Sequence, residues 1–264
     1  MRYAFLIGVA RSGTSILGEL IASHPEVKYI FEVHPIWELG GEGENGSHRL
    51  TELHAKPYVA NWIRKWFSTQ AEPGRLLLEK NPRNSLRVPY LNAIFPAGKI
   101  IHIVRDGRDA ACSMVPGCGG EQWSHLKPPS WQQFFHQYQG VIRCAHAWRE
   151  AISIALDDLA KVDHLQVRYE DLVQTPADVA REVLAYLELD ANPEVDSFCN
   201  NIQNSTADSY HAGVQTMWYR ENHSVRVQRY RENMTAEELR TVNTLLAPIL
   251  QKLGYPLDGE GDLN

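Results

Sequence analysis

Two short segments of this 264-residue chain carry residue types that bind anions. The first is Gly8-Val9-Ala10-Arg11-Ser12-Gly13-Thr14-Ser15. Its two glycines and final hydroxyl have the spacing of a phosphate loop, G-x-x-x-x-G-K-[ST], with Thr14 in the place of the lysine. The physics of such a loop survives that change. Gly8 permits the turn, Gly13 lets backbone N–H groups approach an anion, and a helix starting near Thr14 aims its positive end at the same spot. Arg11 supplies a cation from within the loop, and Ser12, Thr14 and Ser15 supply hydroxyls. The second segment is Arg105-Asp106-Gly107-Arg108-Asp109, with Ser113 eight residues beyond Arg105. Arg105 and Ser113 together suit a second phosphate, because a guanidinium offers forked donors to its oxygens. Taken alone, Arg105 and Arg108 would equally suit surface ion pairs with their aspartates. The missing lysine argues against γ-phosphoryl transfer from ATP, where that lysine contacts the β and γ phosphates.

The elements needed to hold these segments are legible as alternating patterns. Tyr3 to Ile7, Val27 to Phe31, Arg75 to Glu79, Lys99 to Val104 and His164 to Arg168 read as strands, Lys99 to Val104 most strongly because it is rich in β-branched residues. Thr14 to Ser23, Asn84 to Phe95 (broken at Pro89), Asp106 to Val115, Ala177 to Leu187 and Thr235 to Leu253 read as helices, and Trp131 to Ala160 as one long helix or a pair. Strands alternating with helices predict an α/β fold with a largely parallel central sheet flanked by helices, in one domain over residues 1–264. Ligands in such folds bind at the carboxyl ends of strands. Gly8 to Ser15, Phe31 to Pro35, Glu79 to Pro82, Arg105 to Arg108 and Tyr169 to Leu172 all follow strands. Two irregular stretches, Gly40 to Ser47 and Gly117 to Pro129, fit either surface loops or an acceptor-binding lid.

Bulk properties narrow the class. With 26 basic and 32 acidic residues the formal net charge is -6, so nothing draws the whole chain to nucleic acid and any polyanion site must be local. The apolar run after Met1 is too short for a signal peptide and leads into a glycine loop. No apolar stretch of membrane-spanning length occurs. Cys112, Cys118, Cys144 and Cys199 lack metal-ligand spacing, and they are expected to be reduced thiols of a cytoplasmic protein. No carboxylate cluster suited to Mg²⁺ is evident.

The segments GVARSGTSIL from Gly8, EKNP from Glu79, FPAGKIIHIVRDGRDAACSM from Phe95 and RYEDLV from Arg168 resemble, in order, the sulfotransferase superfamily dependent on PAPS (3'-phosphoadenosine-5'-phosphosulfate). The likeness is greatest to the branch with tyrosylprotein sulfotransferases and related bacterial enzymes, over roughly residues 3 to 190. It implies a P-loop-like sulfotransferase fold, PAPS as co-substrate, PAP as product and no metal. It further implies that Arg11, Ser12, Gly13, Thr14 and Ser15 hold the 5'-phosphosulfate, that Arg105 and Ser113 hold the 3'-phosphate, and that Tyr169 lies near the adenine. The stretch Ser224 to Arg231 is similar to the family's basic closing element, with Gln228 where glycine is usual. Arg226 and Arg229 are its candidate phosphate ligands, and a solvated basic strip is the alternative.

Sulfuryl transfer needs a base for the acceptor hydroxyl and a cation for the departing phosphate. Glu32 and His34, after the second strand, are the candidate bases. Tyrosylprotein sulfotransferase-like members use a Glu in this region and other branches a His, which favours Glu32. On an extended segment the two side chains alternate, so one would face the site and the other away. Lys80 is the candidate cation, at the end of the strand before Pro82. The acceptor is expected to be a hydroxyl on a small molecule, a carbohydrate or a carrier, and Trp123 with His125 could form its wall. A P-loop-type small-molecule kinase and a non-catalytic nucleotide-binding module are the alternative readings.

Overall fold

A computed structural model describes residues 1–118, 123–204 and 226–257. The chain runs β1 (Arg2–Ile7), α1 (Thr14–Ala22), β2 (Val27–Phe31), α2 (His34–Trp37), α3 (Pro57–Gln70), β3 (Leu76–Lys80), α4 (Val88–Ile94), β4 (Lys99–Val104) and α5 (Gly107–Met114). It continues with α6 (Trp131–Gln137), α7 (Gly140–Leu159), β5 (Leu165–Arg168), α8 (Tyr169–Gln174), α9 (Pro176–Leu187), α10 (Pro193–Asn204), α11 (Tyr230–Asn233) and α12 (Ala236–Lys252). The five strands form one sheet in the order β2-β3-β1-β4-β5, and every pairing is parallel. The expected α/β fold with a parallel sheet is therefore what forms.

The strands alternate side chains between two buried faces, as the period of a strand requires. Ala4 and Leu6 of β1, Leu76 and Leu78 of β3, and Ile101 and Ile103 of β4 pack with Ile16, Leu17 and Leu20 of α1 and with α9 and α10. Phe5, Ile7, Leu77 and Ile100 point the other way, onto Val59, Ile63 and Phe67 of α3 and Leu91 and Ile94 of α4. A third cluster joins α5, α7 and α12. Trp131 to Ala160 resolves as the helix pair α6 and α7, broken where Gly140 takes a φ of 52°.

Strand β1 lies between β3 and β4, while the chain visits β2 before β3. The connection after β1 runs toward β2 at one edge and the connection after β4 toward β5 at the other, so a crevice opens at the carboxyl ends of β1 and β4. The alternation also aims the last residues of β3. Lys80 shares the face of Leu76 and Leu78, toward α1, and Glu79 shares the face of Leu77. Glu79 accepts from Trp37 Nε1 at 3.0 Å and from Asn84 Nδ2 at 3.1 Å. Trp37 is fully buried, with its ring 5.2 Å from that of Phe67 and 5.9 Å from that of Phe5. Burying so large a ring contributes on the order of 2–3 kcal/mol. That anchor fixes the four-residue helix α2, whose first residue is His34.

Candidate active site

A cavity of about 770 Å³ occupies the crevice at the carboxyl ends of the strands. Its floor is the loop between β1 and α1. Gly8 is required there because a Cβ would sit 2.6 Å from the Ile103 carbonyl oxygen on β4. Arg11 and Gly13 both take left-handed backbone, with φ of 71° and 95°. A Cβ on Gly13 would also lie 2.4 Å from the Tyr169 ring. Left-handed residues within a turn direct successive N–H groups inward, which makes an anion-binding concavity. No side chain caps the start of α1, so its first N–H groups face the same space. Arg11, Gly13, Thr14 and Ser15 line the cavity. Ser12 does not; it is 1% exposed, and its backbone N–H closes the turn onto the Val9 carbonyl at 3.1 Å.

Three guanidinium groups converge on one wall. Arg105 leaves the end of β4, donates to the Arg11 carbonyl at 3.2 Å and the Arg226 carbonyl at 2.7 Å, and stacks 4.5 Å from the centre of the Tyr169 ring. Burial and the nearby charges of Arg226 and Arg105 lower the Arg11 pKa to about 10. Such mutual repulsion favours an anion between them. Arg11 Nε also donates to Ser113 Oγ at 3.0 Å, so Ser113 links the first anion segment to the second. Arg229 lines the same cavity. Ser224 and Val225 of the basic stretch lie outside the described residues.

Asp109, which sequence reasoning passed over, secures this wall. Its carboxylate accepts the backbone N–H groups of Gln228 at 2.8 Å and Tyr230 at 2.9 Å, and it lies 3.7 Å from Arg105. Burial raises its pKa to about 6 against the pull of Arg105. Gln228 holds a φ of 60°, the backbone that glycine would adopt without cost. The departure from glycine thus leaves the turn intact. Asp109 carried no motif signal beyond its place one turn after Arg105.

Across the cavity stand Glu32, His34 and Lys80. Glu32 has a φ of 45°, and its N–H bonds the Lys80 carbonyl at 2.9 Å, continuing the sheet by one residue. The left-handed turn ends the strand alternation, and α2 begins at His34. Both Glu32 and His34 therefore face the cavity, where an extended segment would have turned one away. Lys80 Nζ reaches Glu32 Oε1 at 2.5 Å and Ser15 Oγ at 3.1 Å, and lies 3.6 Å from the centre of the Phe31 ring. Its side chain is fully buried beneath these groups. Burial lowers its pKa, while the Glu32 carboxylate pulls it back up. On the far side, Glu79 is pushed up to about 7 by complete burial.

Phe31, Pro82, Arg83, Pro116, His125 and Leu126 form a further part of the cavity wall. His125 holds the Met114 carbonyl at 3.1 Å. Trp123 stands behind this wall: its Nε1 donates to the Leu126 carbonyl and its ring packs 5.8 Å from that of Trp131. Residues 119–122 of the expected lid lie outside the described residues. Gly40 to Ser47 includes the end of one short 3-10 turn, Glu38–Gly40, and all of another, Glu44–Gly46. Among the described residues no cluster of His, Cys, Asp and Glu is arranged to hold a metal ion, and no helix is long and apolar enough to cross a membrane.

Comparison with known proteins identifies the fold and the family. A protein-tyrosine sulfotransferase of Drosophila melanogaster is 26% identical over 212 residues, covering 74% of this chain and 40% of the fly protein. The chain spans about half the length of the curated relatives it matches. The sulfotransferase domain from the curacin biosynthetic pathway superposes with a TM-score of 0.63 over 98% of this chain and 99% of that domain, at 16% identity. A mouse sulfotransferase complexed with PAP superposes with a TM-score of 0.58 over 95% of this chain and 85% of that protein, at 15% identity. These structural likenesses identify the fold. The family model described as the sulfotransferase family matches residues 4–193, and the chain belongs to that family.

Proposed function

We propose that the protein transfers a sulfuryl group from PAPS to an acceptor hydroxyl, with Glu32 as base and Lys80 as the cation for the leaving phosphate. The observation that carries this reading is the set of groups around one cavity: an anion nest at Arg11 to Ser15, a guanidinium wall one strand away, and a carboxylate with a buried ammonium beside the nest. A nucleotide bearing one terminal anion and a second phosphate at the ribose matches two separate anion sites. A nucleoside triphosphate, whose charge is contiguous, matches them less well.

When bound, PAPS supplies an activated sulfuryl group on a phosphate leaving group. The N–H groups and hydroxyls of Arg11 to Ser15 fit its 5' end. Arg105, Ser113, Arg226 and Arg229 fit the 3'-phosphate, and the Tyr169 ring fits the adenine side. Lys80, held against Ser15, is within a side chain's motion of the nest. Negative charge in the nest competes with Glu32 for the Lys80 ammonium. A Lys80 drawn toward the nest leaves the Glu32 carboxylate unpaired and able to take the acceptor's proton. The acceptor is a hydroxyl on a small molecule, a carbohydrate or a carrier, approaching past Phe31 and Arg83.

Isothermal titration calorimetry with PAP, ADP and AMP tests the reading. PAP is expected to bind at least about tenfold more tightly than AMP, the worth of one charge-assisted contact or more. ADP binding equal to or tighter than PAP would overturn it in favour of a kinase.

A further inference from the structure

Asn81 ends β3 and caps the 3-10 turn Pro82–Leu86, and it is fully buried. Its amide orientation is set by its neighbours. Oδ1 accepts the backbone N–H of Arg83 at 3.1 Å. The reverse orientation would press an NH₂ against that N–H, donor on donor. Nδ2 therefore faces outward from the turn, 3.3 Å from His34 Nδ1. An imidazole nitrogen that accepts from Nδ2 carries no proton. In the neutral ring the hydrogen must then sit on Nε2, which lies 3.6 Å from Glu32 Oε2.

We propose that Asn81 is a positioning residue that holds His34 as the Nε2–H tautomer, so that His34 turns an N–H and not a lone pair toward Glu32, and Glu32 alone of the pair can take the acceptor's proton. The assignment rests on the sulfotransferase reading above and deepens it. Glu32 then has the Lys80 ammonium on one oxygen at 2.5 Å and the His34 N–H facing the other from 3.6 Å. Loss of Lys80 to the nest would leave the carboxylate facing that N–H. The charged groups around the ring agree with a neutral imidazole. Burial, Arg83 and Arg87 disfavour its cation more than Glu32 and Glu38 favour it. His48 beyond them is itself driven far toward the neutral form by burial and the same arginines.

The test is a long-range ¹H–¹⁵N correlation spectrum of the ligand-free full chain with ¹⁵N-labelled histidine near neutral pH. The His34 signals are assigned by their loss in His34→Gln. Expected is a bare Nδ1 and a protonated Nε2. Asn81→Asp keeps the acceptor for the Arg83 N–H and removes the donor, so Nδ1 should become protonated and the ring should titrate at higher pH than in the parent. A protonated Nδ1 in the parent would overturn the proposal, as would a tautomer and titration unchanged in a folded Asn81→Asp. If the variant does not fold, the parent spectrum alone decides. Neither spectrum requires turnover. Failure of the tautomer with discriminating PAP binding sinks this inference only, and the expected tautomer with no PAP preference sinks only the sulfotransferase reading.

Discussion

Lys80 and Glu32 neutralise each other at the centre of the cavity, and each has a different prospect on substitution. Lys80 is fully buried, whereas the Glu32 side chain keeps 29% exposure. Removing Lys80 leaves a carboxylate that water can still reach, so the fold should tolerate the change. Lys80→Ala is expected to lower turnover of PAPS by about a hundredfold or more while PAP affinity changes little. Glu32→Gln should lower turnover by roughly a hundred- to ten-thousand-fold. Both are read by single-turnover formation of labelled PAP from labelled PAPS with a hydroxyl acceptor in excess. A parallel fall in PAP affinity for Lys80→Ala would make it a binding residue only. Retained turnover in Glu32→Gln would move the base to His34. At this scale the sequence carried the residue types but not their pairing. The Glu32–Lys80 contact depends on a positive φ at Glu32, which no pattern of side chains announces. Asn81 and Asp109 went unnoticed for the same reason: their partners are backbone N–H groups, set by turns that form only in the fold.

Elements were read more reliably where a period was strong. The strand expected at Arg75 to Glu79 forms as Leu76–Lys80, an apolar run whose side chains alternate between faces and give Lys80 the α1 side. Helix α3 was missed, although Val59, Ile63 and Phe67 mark a buried stripe at four-residue spacing, because Tyr58 and Trp62 place large rings on the opposite, exposed face and blur it. Helix α8 gives no such signal, since six residues directly after β5 are too few to show a period. The loop from β1 to α1 was legible because glycine spacing reports backbone directly. It is also sensitive to a single methyl group. Gly13→Ala forces alanine to a φ of 95° and drives its Cβ to 2.4 Å from the Tyr169 ring. We expect a loss of about 1–3 kcal/mol, seen as a lower midpoint in thermal unfolding, together with weaker PAP binding. An unchanged midpoint and affinity would mean that the nest relaxes without cost and that the close approach of Tyr169 is not needed.

The chain as a whole is acidic, with a formal charge of -6, yet its crevice gathers Arg11, Arg105, Arg226 and Arg229. An anion approaching this protein is repelled at long range and attracted only near the cavity. Salt screens both effects, over roughly 8 Å at physiological ionic strength. The contacts inside the crevice dominate affinity, because Arg105 is 6% exposed and its field reaches a bound anion through protein rather than water. PAP should therefore bind more weakly as salt rises, with AMP less sensitive because it lacks the second phosphate. Arg229→Ala should separate the two sites. If Arg229 reads the 3'-phosphate, the variant loses about tenfold in PAP affinity and keeps its AMP affinity, and the salt dependence of PAP binding becomes shallower. Calorimetry at three ionic strengths with both nucleotides measures all of this. Equal losses for PAP and AMP would assign Arg229 to the 5' end and leave Arg105 and Arg226 as the cations of the 3' site. A loss confined to PAP would mean that an acidic protein reads one doubly phosphorylated nucleotide by concentrating its facing cations where β1 and β4 end, at a distance that the sheet itself fixes.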